Sequence, residues 1–250
     1  MKLLQVSRER RQTLSFLAIS RGIPAITVIR EIDVSRIVAS GQQRSMTAIT
    51  IKAISEALRQ FPQLNAMIKF GSDSTLICPD NISTRVTLEK VLNGVSGVYS
   101  RVIKNTDRLS VADIERALQQ FKQEDAATSE HYRKIRLIQR LPPLLAGLLL
   151  RLAMLSPKLQ AETWGSFTVT SLGKNSPDIC IPLSGSTFTF TLGLINEKWS
   201  RNAHEHEEAM LHVANLSMIF DHRVLDGRLA SEFLAQIKSN MEDVVLEPSS

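Results

Sequence analysis

Cysteine is nearly missing from this chain. Cys78 and Cys180 are its only two among 250 residues, and they lie far apart with no C-x-x-C pair, which argues against a disulfide framework or a structural zinc site and suits a reducing compartment. Aromatic residues make up only 5% of the chain, and no dense Lys/Arg stripe is interleaved with them, so no nucleic-acid partner is expected. Long apolar runs are also lacking. The ten uncharged residues Leu141 to Leu150 fall far short of the ~20 needed to span a bilayer. Charges at Lys2, Arg8, Glu9, Arg10 and Arg11 occupy the place where a secretory signal needs its apolar stretch, so a cytoplasmic location is expected. There is no internal repeat and no low-complexity segment. What remains is an ordinary globular composition: 43% hydrophobic residues, enough for a single domain over 1–250, with a net charge of +5 and a pI near 9.4. That charge suits an anionic ligand such as a nucleotide phosphate, or an acidic carrier protein.

Helix and strand signals alternate along the chain. Ser7 to Ser20 has helical spacing and stops at Arg21-Gly22-Ile23-Pro24. Ala25 to Val34, rich in Ile, Val and Thr, predicts a strand, and Ser45 to Gln60 a helix ended by Pro62. Short strands are expected near Ala66–Phe70, Ser74–Cys78, Ser83–Leu88 and Gly97–Ile103, then a helix over Ser110–Lys122 with Ser110 as N-cap. Gly165–Ser171 and Ser186–Ile195 read as strands, the second alternating Thr187, Thr189 and Thr191 with Phe188 and Phe190. Leu211 to Phe220 alternates in the same way, and Leu229, Phe233, Ile237 and Met241 form the apolar stripe of a closing helix. The order implies an α/β fold with a mixed sheet flanked by helices.

Between that last strand and helix stands Asp221-His222-Arg223-Val224-Leu225-Asp226-Gly227. Histidine, with an unperturbed pKa of about 6.5, can take and return a proton near neutrality. A strand-to-helix turn holds it at an element edge with its tip free, which suits a general base. Asp226 is placed to cap or precede the helix. By contrast, His204-Glu205-His206-Glu207-Glu208 reads as a solvated hairpin loop, and no metal is expected.

Several separated segments together resemble one family. The D-H-R-x-x-D-G run at 221–227 is joined by Ile23-Pro24 leading into Glu31-Ile32-Asp33-Val34 and by Ile51-Lys52-Ala53 through Pro62-Gln63-Leu64-Asn65-Ala66. Val102 to Asp107 and Gly165-Ser166-Phe167-Thr168-Val169-Thr170-Ser171-Leu172-Gly173 complete the match. Over most of its length the chain is similar to the catalytic domain of the dihydrolipoamide acyltransferases of 2-oxo acid dehydrogenase complexes, which have a chloramphenicol acetyltransferase-like fold. The resemblance implies acyl transfer with coenzyme A, or a carrier-protein pantetheine, as donor substrate and a small thiol, hydroxyl or amine as acceptor. His222 is then the general base and Thr170 the donor to the oxyanion, worth roughly 3–4 kcal/mol. Ser171 is the fallback donor, with Gly173 beside it at the substrate. Asp226 either orients the turn or supports charge near His222, while Asp221, Arg223 and Gly227 hold the loop. The family's trimeric assembly implies that His222 of one chain faces Thr170 of the next.

Three departures qualify this. No lipoyl or subunit-binding domain precedes the catalytic one, so a free-standing enzyme, in specialised metabolism or served by a separate acyl or lipoyl carrier protein, is expected. The family's arginine partner for Asp226 is displaced by Leu14-Ser15-Phe16, leaving Arg8, Arg10 or Arg11 as substitutes. An amphipathic insertion at about 125–162, flanked by Arg133, Lys134, Arg136, Arg140 and Arg151, is suited to packing on its own trimer, covering an acyl pocket, docking a partner or lying on a membrane surface. The competing reading is a non-catalytic oligomeric scaffold that keeps the fold.

Overall fold

A computed structural model describes residues 20–41, 44–72, 74–92, 95–125, 143–173, 176–201 and 208–244, with isolated positions at 14, 17, 129, 130, 133, 137 and 141. Of the first expected helix, only Leu14, Leu17 and Ser20 lie within the described residues, and all three are helical. The 204–207 stretch lies outside them.

The sheet is organised around β9 (Glu208–Asp221), a strand of 14 residues. β1 (Ala25–Asp33) runs antiparallel along one side of it, from Ala25 opposite Asp221 to Asp33 opposite Val213. On the other side β7 (Phe188–Leu192) covers Leu216–Phe220, and β8 (Asn196–Arg201) covers Glu208–Val213, both antiparallel. Next to β7 come β6 (Phe167–Thr170) and β4 (Thr84–Leu92), all three parallel, and β5 (Val95–Ile103) closes the far edge antiparallel to β4. The sheet is therefore mixed. β2 (Met67–Ile68) and β3 (Leu76–Ile77) form a separate small ribbon.

Register divides the sheet into two faces, because successive side chains on a strand point to opposite sides. Val86, Val169, Phe190 and Met218 stand opposite one another on one face, and all are at most 2% exposed. Against this face pack α2 (Met46–Gln60), α3 (Val111–Gln123) and α6 (Gly227–Glu242), with Phe233 of α6 tilted against Phe188 at a ring separation of 5.3 Å. α2 runs between the other two helices and is buried almost all round, so its Thr50 and Ser55 hydroxyls bond back to the Met46 and Ile51 carbonyls. As expected, Ser110 caps α3, its hydroxyl accepting from Asp113 N–H at 3.1 Å while the Asp113 carboxylate accepts from Ser110 N–H.

The opposite face is unusually rich in hydroxyls and also carries a buried guanidinium. Arg85, 6% exposed, lies with its guanidinium 4.9 Å from the ring centre of Trp164, and burial lowers its pKa to about 9. Trp164 ends α5 (Pro157–Trp164), which follows α4 (Pro143–Met154). Gly165 then turns the chain into β6 at φ +63°, where a Cβ would stand 2.6 Å from the Ser83 carbonyl oxygen, so no other residue fits. That approach lets Ser166 N–H donate to Ser83 at 2.7 Å and starts β6 in register with β4.

Several elements were not anticipated from sequence, α5 among them. α1 (Ser35–Ala39) has five residues, too few for a helical period to show. β8, Asn-Glu-Lys-Trp-Ser-Arg, has no apolar alternation, with Trp199 66% exposed.

Candidate active site

His222 is the first residue beyond β9. Its backbone N–H donates to the Pro24 carbonyl at 2.9 Å, continuing the β1 pairing one step past the end of the strand. Its ring stands edge-on to Phe220 at 6.0 Å, and its side chain stays 41% exposed. The backbone is thus anchored while the imidazole reaches solvent.

The turn around it is tied by one compact ion pair. Arg223 donates through Nε to Asp221 Oδ1 at 2.9 Å and through Nη2 to Oδ2 at 2.6 Å, and its backbone N–H reaches Oδ1 at 3.0 Å. The Asp221 carboxylate is nearly buried, with a side-chain exposure of 6%, so this fork satisfies a charge that would otherwise be stranded. Both side chains are consumed by the loop. Asp226 sits at the N-cap of α6 with extended backbone, but its carboxylate makes no capping hydrogen bond. It lies 3.7 Å from His222 Nδ1 instead, beyond hydrogen-bond reach. Arg8, Arg10 and Arg11, the proposed substitutes for the displaced arginine, lie outside the described residues. Gly227 needs no left-handed backbone, and a Cβ there would meet nothing within 4 Å.

Thr170 ends β6 on the hydroxyl face. Thr87, Thr170, Thr191 and Ser217 stand directly opposite one another on β4, β6, β7 and β9, forming a row across four strands. Thr87 Oγ1 donates to Thr170 Oγ1 at 3.0 Å, which occupies an acceptor lone pair and leaves the Thr170 proton to be aimed elsewhere. Further along the row, the Thr191 and Ser217 hydroxyls are buried and find no hydrogen-bond partner among the described residues. Ser171 N–H donates to the Thr87 carbonyl at 3.3 Å, and its hydroxyl accepts from Thr47 of α2 at 3.3 Å. Gly173 turns the chain away at φ +71°. Together Thr47, Thr170, Ser171, Gly173 and Leu192 line a cavity of about 400 Å³ whose single charged side chain among the described residues is Lys122, from the end of α3.

His222 lies outside this cavity. It stands five residues beyond Ser217, and Ser217 is two strands away from Thr170, so strand geometry separates the two by roughly 20 Å within one chain. They occupy opposite ends of the sheet. No single carbonyl can touch both in the same subunit. Among the described residues, no group of three or more His, Cys, Asp or Glu is placed to hold a metal ion.

A mixed sheet backed by helices on one face is the fold of solved acyltransferase catalytic domains. The fold agrees with a solved structure of a probable dihydrolipoamide acetyltransferase from Listeria monocytogenes, at TM-score 0.70 and 24% identity, covering 100% of this chain and 98% of that one. A structure of dihydrolipoamide acetyltransferase from Azotobacter vinelandii, whose stated subject is the catalytic role of a serine, a histidine and an asparagine, has TM-score 0.70 at 17% identity, covering 97% and 92%. The chain belongs to the family described as 2-oxoacid dehydrogenases acyltransferase (catalytic domain), whose sequence model matches residues 2–133 and 158–246. Among curated relatives, the dihydrolipoyllysine-residue acetyltransferase component of the pyruvate dehydrogenase complex of Acholeplasma laidlawii is 24% identical over 98% of this chain and 41% of its own length. The succinyltransferase component of the 2-oxoglutarate dehydrogenase complex of Buchnera aphidicola is 24% identical over 77% of this chain and 40% of its own length. The chain thus spans about two fifths of the relatives it matches. Both are named as components of dehydrogenase complexes, which gives no support to the expected role in specialised metabolism.

Sequence reasoning missed Thr87, Thr47 and Lys122. The run Thr-Arg-Val-Thr at 84–87 has the spacing of a strand whose hydroxyls face both ways, but only the pairing of β4 with β6 connects it to Thr170.

Proposed function

We propose that the protein is an acyltransferase that moves an acyl group between coenzyme A, or a carrier-protein pantetheine, and a small thiol, hydroxyl or amine acceptor. The observation that carries this reading is the placement of a solvent-reaching histidine and a hydrogen-bonded threonine hydroxyl at opposite ends of one sheet. In a closed head-to-tail ring such as a trimer, the histidine end of each chain meets the threonine end of the next. Every interface then contains one complete site.

The acceptor's X–H loses its proton to His222 as X attacks the thioester carbonyl carbon. Asp226, 3.7 Å from Nδ1, stabilises the imidazolium that results. The carbonyl oxygen becomes an oxyanion and receives the Thr170 hydroxyl proton as a hydrogen bond, with Thr87 holding that hydroxyl in orientation. Collapse breaks the carbon–sulfur bond, and the departing thiolate takes the proton back from His222. No acyl-enzyme is formed. The serine, histidine and asparagine addressed in the Azotobacter vinelandii enzyme support this assignment, since its asparagine lies four residues after the histidine, as Asp226 does after His222. The relatives' names point to a dihydrolipoyl thiol as one acceptor class.

Incubation with a panel of acyl-CoA thioesters, following free thiol, tests the proposal. Thiol release that disappears in His222→Ala is expected. Absence of His222-dependent release with every donor and acceptor would leave the oligomeric scaffold as the reading.

A further inference from the structure

The family match breaks off at Arg133 and resumes at Lys158, and the residues between them contain α4. This helix is built unlike the rest of the chain. Leu145, Leu148, Leu149 and Leu152 recur at i, i+3, i+4 and i+7 on one face and are 43–54% exposed, and Leu155 and Leu159 extend the apolar surface at 50% and 43%. Among its described side chains, the buried one is at the C-terminal end. Met154 is 2% exposed and accepts a hydrogen bond from Trp164 Nε1 at 3.3 Å. The stripe itself is left facing outward.

Its charges all have one sign. From 134 to 157 the sequence contains Lys134, Arg136, Arg140 and Arg151 and no acidic residue, with Arg133 and Lys158 just outside. Arg151 is exposed on α4, beside the leucines. We infer that α4 lies on an anionic phospholipid surface, its leucines entering the acyl boundary and the exposed Arg151 and Lys158 meeting lipid phosphates.

Three features favour this occupant over others. Pairing the stripe with a second copy would bring two wholly cationic segments together, and six half-exposed leucines offer on the order of 500 Å², short of the ~800 Å² per partner of a stable interface. A protein partner is normally gripped by aromatic anchors and hydrogen bonds, whereas Pro-Leu-Leu-Ala-Gly-Leu-Leu-Leu-Arg-Leu-Ala-Met has no aromatic and one polar side chain. A bilayer surface asks only for apolar area and cations. With 12 residues α4 is about 18 Å long, so it can lie on a membrane but not cross one, and no described helix is long and apolar enough to cross.

The test is vesicle co-sedimentation of the full chain, comparing phosphatidylcholine alone with a mixture containing about one-third phosphatidylglycerol. Binding to the anionic vesicles, released by salt, is expected, with Arg151→Glu weakening it at least about fivefold. The double variant Leu148→Ser/Leu152→Ser should lose it while keeping circular dichroism and acyl transfer. The inference is overturned if anionic vesicles do not bind the chain at low salt, or if the serine variant binds as well as the parent. It is equally overturned if that variant's oligomer mass drops by light scattering, since the stripe is then a contact between copies, or if the stripe binds a purified acidic carrier protein in preference to vesicles. Acyl transfer can fail without touching this result, and the reverse also holds.

Discussion

Mixing two inactive variants should restore activity. His222→Ala removes the proposed general base and is expected to lower kcat by roughly 10²- to 10⁴-fold, and Thr170→Ala removes the proposed oxyanion donor and should lower it by roughly 10²- to 10³-fold. Because the two residues lie roughly 20 Å apart within a chain, the proposed site draws them from different subunits. In a ring, each interface takes His222 from one subunit and Thr170 from the next. Any trimer containing both variants therefore has one interface where an intact histidine meets an intact threonine. Random reassembly of equal amounts after denaturation gives each interface an even chance of an intact histidine and an even chance of an intact threonine, so about one quarter of wild-type activity returns. The assay is thiol release after co-refolding, with each variant refolded alone as control. A mixture no more active than its components refutes shared sites, because two defects within self-contained subunits cannot complement one another.

Thr87→Val removes the donor to Thr170 and should reduce kcat about tenfold with little change in KM, while Thr87→Ser restores it; an unchanged kcat would show that Thr170 orients itself. Gly165→Ala forces a Cβ against the Ser83 carbonyl at positive φ, and urea unfolding should report a loss of about 2–3 kcal/mol, whereas a loss below about 0.5 contradicts the close approach. Arg85 is held with its pKa lowered to about 9, so above that pH the unfolded chain binds more protons than the folded one. The stability of the wild type relative to Arg85→Met should be level below about pH 9 and climb above it, and a difference that stays flat to pH 11 means that the guanidinium keeps its proton.

The core elements were readable wherever one face of a strand or helix is apolar. Phe188 and Phe190 alternating with threonines announced β7, and the four-residue spacing from Leu229 to Met241 announced α6. Elements without that contrast, such as α1 and the charged edge strand β8, gave no signal. The histidine turn was legible because strand, turn and helix are contiguous there. The use of Asp221 by Arg223 depends on side-chain direction, and the failure of Asp226 to cap α6 is a matter of its carboxylate facing His222, neither of which follows from spacing. The hydroxyl row was least visible, since its members are up to 130 positions apart and meet only through strand order.

β9 joins the Ser217 end of that row to the histidine turn in one unbroken strand. It works as a ruler. Inserting one residue between Ser217 and Asp221 would advance His222 by about 3.4 Å and turn it to the other side of the sheet. On the shared-site proposal, such a change keeps His222 and Thr170 in the chain yet misaligns each junction of a ring by the same step. The family match breaks off between Arg133 and Lys158, whereas β9 lies wholly within its second matched stretch.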